Sequence, residues 1–173
     1  MTKFHEYETW FDKGVALQEN ENYTEALACF QNAIDIKPDF IPAWVYKGIC
    51  LEQSQRYEAA IACYNQAIQI NPNVADLWYN KGTTYCTVKR YNDALACFEQ
   101  ALEIEPDHAI TQTTRSLLLA TPEIFKLTPK RLNPSDANTD ETSEAVEIPR
   151  EQEIGRQAYT SLSQSSENEL MQE

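Results

Sequence analysis

The apolar residues of this chain form two short helix-like rhythms that return together. Trp10, Trp44 and Trp78 stand 34 residues apart. The same interval separates Gly14, Gly48 and Gly82; Tyr23, Tyr57 and Tyr91; Ala26, Ala60 and Ala94; Phe30, Tyr64 and Phe98; Ala33, Ala67 and Ala101; and Pro38, Pro72 and Pro106. Seven ladders in one register mean that one structural unit occurs three times, and a period of this length belongs to stacked-repeat architectures. Within each unit two apolar-periodic stretches flank a polar turn such as EQSQRY, so a pair of helices is predicted. Trp44 and Gly48 lie four apart on one helix face, where a bulky side chain of one helix can sit over the missing side chain of its neighbour. Ala60, Tyr64 and Ala67, spaced by four and three, give the second helix its own close-packing face. Proline ends each unit, because it lacks the N–H a continuing helix needs.

These ladders resemble the tetratricopeptide-repeat family over residues 7–108, with repeats at 7–40, 41–74 and 75–108. One departure recurs: where the family usually places Leu before the glycine, the chain has Lys13, Lys47 and Lys81. A lysine can lay its methylenes on the apolar seam and keep its ammonium in water. The variant AWYxKG…ALACFxQAIxI is similar to bacterial-type arrays. Residues 109–120 begin like a fourth unit, but Gln112 holds the Trp place and Ser116 the Gly place. Ile110, Leu117 and Leu118 give this stretch one apolar side, as a helix capping the last open face needs. The expected fold is therefore all-α: a right-handed superhelical solenoid of three helical hairpins with a C-terminal capping helix, all within residues 1–120. Residues 121–173 shift to Pro, Ser, Thr, Asn and Glu and read as a mostly disordered acidic tail. Within that tail Pro149, Ile154, Ala158 and Leu162 outline a short amphipathic helix over 149–162, weakened by Gly155.

Charge narrows the range of functions. Of 173 residues, 14 are Lys or Arg and 27 are Asp or Glu, giving a net charge of -13. Phosphate backbones and anionic headgroups are bound mainly by clustered cations, so nucleic acid and membrane surfaces are excluded as expected partners. With no apolar run near ~18 residues and no signal-like start, the expected location is the cytoplasm. The five cysteines then read as reduced thiols. Cys29, Cys63 and Cys97 recur at one repeat position, separated by at least about one helix diameter, too far for disulfides between repeats. Cys86 has a groove-facing, redox-sensing alternative. No CxxC is present, all four glycines are isolated, and no nucleophile has an evident base, so no metal, cofactor or catalysis is expected. His108, beside Pro106 and Asp107, reads as a turn residue at a repeat junction.

The family resemblance implies that the first helices of successive repeats line a concave groove that binds a peptide or partner protein. In this register the groove residues are Glu8, Phe11, Asp12, Val15 and Glu19 of the first repeat. The second contributes Val45, Tyr46, Ile49, Glu52 and Gln53, and the third Asp76, Tyr79, Asn80 and Thr83. An apolar and aromatic floor within an acidic, amide-rich rim is expected to take a peptide with apolar anchors and basic flanks. One subfamily clamps carboxylate tails of heat-shock chaperones with two lysines, an arginine and two asparagines. At those places this chain has Phe11, Val15, Tyr46, Asp76 and Asn80, so that activity is not carried over. The expectation is a non-catalytic adaptor, assembly factor or chaperone-like scaffold. The alternatives are a self-associating structural array and a type III secretion-type chaperone.

Overall fold

The computed structural model describes residues 6–121. The expected tail and its 149–162 helix lie outside them. The described residues form seven α-helices and no strand: α1 (Glu6–Glu19), α2 (Tyr23–Ile36), α3 (Ile41–Gln53), α4 (Tyr57–Ile70), α5 (Ala75–Thr87), α6 (Tyr91–Ile104) and α7 (Ala109–Ala120). Each helix packs on the next in sequence, and α1 also touches α3, so the elements stack as an all-α solenoid.

The turns inside the three hairpins share one hydrogen-bond pattern. The Arg56 N–H donates to the Leu51 carbonyl and the Gln55 N–H to that of Glu52, at 2.7 and 2.8 Å, closing α3 with a Schellman motif. Asn22 and Glu21 close α1 in the same way, as do Arg90 and Lys89 for α5. The motif requires a left-handed residue, and Glu21, Gln55 and Lys89 take that role with φ of 59, 58 and 61°. No glycine relieves these three positions.

The glycine ladder has a steric cause. A Cβ at Gly14 would lie 2.6 Å from the Phe30 ring, at Gly48 2.8 Å from Tyr64, and at Gly82 2.5 Å from Phe98. Each aromatic is fully buried on the second helix of its own hairpin and occupies the space a side chain would need. Ala26, Ala33, Ala60, Ala67, Ala94 and Ala101 are also fully covered, which allows the helices to approach closely.

The tryptophans fasten one repeat to the next. Trp44 Nε1 donates to the Pro38 carbonyl at 2.8 Å, and Trp78 Nε1 to that of Pro72 at 2.9 Å. Gln112, which replaces the tryptophan in α7, sends its side-chain amide to the Pro106 carbonyl. The polar substitution thus keeps the junction bond and gives up the ring. Lys13, Lys47 and Lys81 extend over Trp10, Trp44 and Trp78 with ammonium-to-ring distances of 5.3, 5.4 and 5.3 Å. The lysine that replaces an apolar residue therefore still covers the seam, with a cation–π contact added.

Candidate functional site

The first helices α1, α3 and α5 carry the positions left over by the repeat ladders, and their side chains divide into two sets. Phe11 is 3% exposed, Val45 1%, Tyr46 6%, Ile49 4% and Tyr79 1%. The expected apolar floor is therefore core. Phe11 packs edge-on against both Tyr46 and Phe40 with ring centroids 5.2 Å apart, and Phe30 tilts against Phe11 and Tyr46. Val45 and Ile49 pack with Leu77 between the second and third hairpins, and Tyr79 packs with Phe98 and Leu118. The reading of these five as an open contact surface is corrected on this ground. A first helix is covered by its hairpin partner and by helices of adjacent repeats, so more than one stripe is buried.

The polar set stays nearer the surface. Glu8, Asp12, Glu19 and Gln53 are exposed, while Val15, Glu52, Asp76 and Thr83 are half-buried. Glu52 and Asp76 are not free rim charges. One Glu52 oxygen accepts from the Tyr64 hydroxyl at 3.2 Å, and the other meets the Thr84 hydroxyl, which also faces the Asn80 carbonyl. Glu52 thus ties α3 to α4 and α5. The Thr83 hydroxyl donates to the Asn80 carbonyl at 2.8 Å. Asn80 is the exception to this surface placement and to its expected place in the groove: it is buried, and its side-chain NH2 has no hydrogen-bond partner among the described residues. The buried Tyr79 hydroxyl lies beside Thr114, whose own hydroxyl donates to the Ile110 carbonyl. Burial pushes the Tyr79 phenol up from its ordinary pKa.

Asp76 is held by His108. Oδ1 of Asp76 lies 3.0 Å from Nε2 of His108, while Nδ1 faces the buried Thr111 hydroxyl. His108 is the N-cap residue of α7, and its ring lies edge-on to Tyr79. The hydrogen bond to Asp76 raises the imidazole pKa, with burial acting against it. His108 is thus a bridge between α5 and α7, more than a turn residue. The sequence carried one signal of this: Phe40, Val74 and His108 form a further ladder of 34 residues, whose first two members are apolar and packed.

Burial pushes the Cys86 thiol up to about 11, which leaves little thiolate at neutral pH and weighs against a redox role. Cys50 is pushed to about 12 and Cys97 to about 11, and all five cysteines are free. Among the described residues no three His, Cys, Asp or Glu side chains gather where they could hold a metal ion. Among these residues, too, no helix is long and apolar enough to cross a membrane.

Two tetratricopeptide-repeat family models match the chain, over residues 11–75 and 47–119. No curated protein matches it. Among solved structures, the first TPR of Spaghetti (RPAP3) bound to an HSP90 peptide superposes with a TM-score of 0.62 at 17% identity, covering 66% of this chain and 90% of that one. The Arabidopsis OM64 TPR domain gives 0.63 at 19% identity, covering 68% and 97%. YrrB, described as a TPR protein with an unusual peptide-binding site, gives 0.60 at 24% identity, covering 64% of this chain and 57% of that one. At these identities the likeness shows a shared fold, and the ligands named belong to those proteins.

Proposed function

The chain belongs to the tetratricopeptide-repeat family, and from that premise we propose that it is a non-catalytic adaptor or scaffold holding a peptide or partner protein in the groove lined by α1, α3 and α5. The observation that carries this reading is the residue set that packing leaves over. On the exposed side of the first helices stand Glu8, Asp12, Glu19 and Gln53, with Val15 and Thr83 partly covered between them. Peptide binding by proteins of the same fold supports the mode. The acidic set, on an array with 7 Lys or Arg and 15 Asp or Glu over residues 7–108, favours a partner with Lys or Arg flanking its apolar anchors. Asp76 stands where a carboxylate clamp would need a cation, which disfavours an acidic tail in this groove.

The test uses the full chain and a panel of short peptides with aliphatic anchors, flanked by Lys or by Glu. The Lys-flanked set is expected to bind, more weakly at high salt. Glu8→Gln with Asp12→Asn should reduce its affinity about threefold to tenfold, mainly through slower association. Equal binding of both peptide sets, or indifference to both substitutions, would move the binding surface away from the first helices.

A further inference from the structure

The second repeat carries a slot on the side away from the first-helix groove positions. A cavity of about 350 Å³ opens between α2, α3 and α4, with a floor of Leu27, Trp44, Leu51 and Cys63 and with Lys47 and Arg56 among its walls. A second cavity of about 390 Å³ shares Arg56 and Ala59 with it and has Glu58 in its wall. The third repeat has the same framework with different contents. There Arg90 stacks on Tyr85 at 4.5 Å and pairs with Asp93 at 2.7 Å and Glu58 at 3.5 Å. Thirty-four residues earlier, Leu51 stands in place of Tyr85 and Ala59 in place of Asp93. Arg56 therefore keeps its charge without ring or carboxylate, and no ion pair forms on it among the described residues. In the first repeat Asn22 takes the arginine place and Glu25 the Ala59 place, so no comparable cation arises.

Lys47 lies over Trp44 and donates to Gln31, keeping a second positive charge at the slot. Both cations act on Cys63, pulling its thiol pKa down against the stronger upward push of burial. Glu58, the acid nearest in sequence, is turned to Arg90. Two cations beside an apolar floor suit a segment that offers a carboxylate next to aliphatic side chains.

The chain itself contains such a segment. Residues 132–149 hold five Asp or Glu and no Lys or Arg, the most acidic base-free run beyond α7. Within it lies ETSEAVEI, residues 141–148, whose spacing would put Glu144, Val146 and Ile148 on one side if the segment docked extended. An acidic array repels an acidic tail over most of its surface, so two cations that meet at an apolar slot with no ion pair among the described residues are a place where that tail gains. Reach is sufficient. A random coil with as many residues as separate Thr121 from Glu144 would span about 25 Å on average and up to about 75 Å fully extended, against roughly 30 Å for the three helix layers from α7 back to α4.

We propose that residues 141–148 dock in cis in this slot, with Val146 and Ile148 on its floor and the Glu144 carboxylate against Arg56 and Lys47. Tethering supplies an effective concentration of about millimolar, so the contact needs no high intrinsic affinity. The slot is built mainly from α3 and the second helices, which separates this contact from the peptide groove.

Amide exchange and nitrogen-15 NMR of the full chain decide the point, comparing the wild type with Arg56→Gln and with Glu144→Gln plus Val146→Ser. Arg56 is exposed and the other two positions lie beyond the array, so the fold is expected to survive each change. Docking predicts amides 144–148 exchanging at least about threefold more slowly in the wild type, with α4 signals moving alike in both variants and 0.5 M salt acting as the substitutions do. Equal exchange in all three proteins would overturn the proposal. So would shifts confined to exposed positions on α1 and α5, which would put the tail on the groove. Shifts that vanish on hundredfold dilution would assign the contact to a second copy and overturn docking in cis.

Discussion

An added methyl group at Gly48 would meet the Tyr64 ring at 2.8 Å, and that ring is fully buried with no room to swing aside. Gly48→Ala is therefore expected to lower stability by about 1–3 kcal/mol, the usual penalty for overpacking a close contact. An unchanged denaturant midpoint would mean that the hairpin opens more easily than its packing implies. The glycine ladder was legible in the sequence because its cause is steric and local to one hairpin, so it returns wherever the aromatic returns. Tyr46 was not legible as core. Periodicity marks one buried stripe, but α3 buries Val45, Tyr46, Gly48, Ile49, Cys50 and Leu51, a nearly continuous run that serves partners on several sides. Where a helix is sandwiched, the 3.6-residue rhythm no longer separates groove from core.

At the scale of the element, α7 is the piece with the most conditional attachment. It keeps the junction hydrogen bond through Gln112 and buries Thr111 and Leu118, but Leu117 is 42% exposed. Its bridge to α5 is His108–Asp76, whose hydrogen bond raises the imidazole pKa above its ordinary value near 6.5. A raised folded-state pKa stabilises most below the unfolded value, and that contribution is lost as pH climbs through the folded one. Docking of α7 is therefore expected to weaken as pH rises above about 6.5 and through the raised pKa of the imidazole. The measurable sign is faster amide exchange in α7 relative to α4, after correction for the intrinsic pH effect. His108→Gln should remove the difference; a difference that persists in that variant would assign the pH response to another group. The helix itself was readable from its apolar positions and its borrowed repeat register. The bridge was not, because its partners are 32 residues apart and belong to different units.

Across the whole molecule the contacts run almost entirely between helices adjacent in sequence. That pattern was the most legible feature, since seven ladders at one interval leave a chain little choice but to stack. The surface chemistry followed less completely. Total charge could be counted, but the pairing of Asp76, the use of Glu52 as a brace and the lack of an ion pair on Arg56 among the described residues depend on contacts that composition does not express. Because each hairpin is held only by its neighbours, load applied between the two ends has no long-range pair to break first. Pulled in an optical trap, the array should yield as a ratchet from its weaker end, hairpin by hairpin, in place of one abrupt rupture. Each 34-residue unit should release about 10 nm, the extended length of its chain less the thickness of the layer it leaves. A single step spanning all three units would show that the hairpins are coupled more strongly than their shared faces suggest, and the steps otherwise make the solenoid a graded mechanical spring.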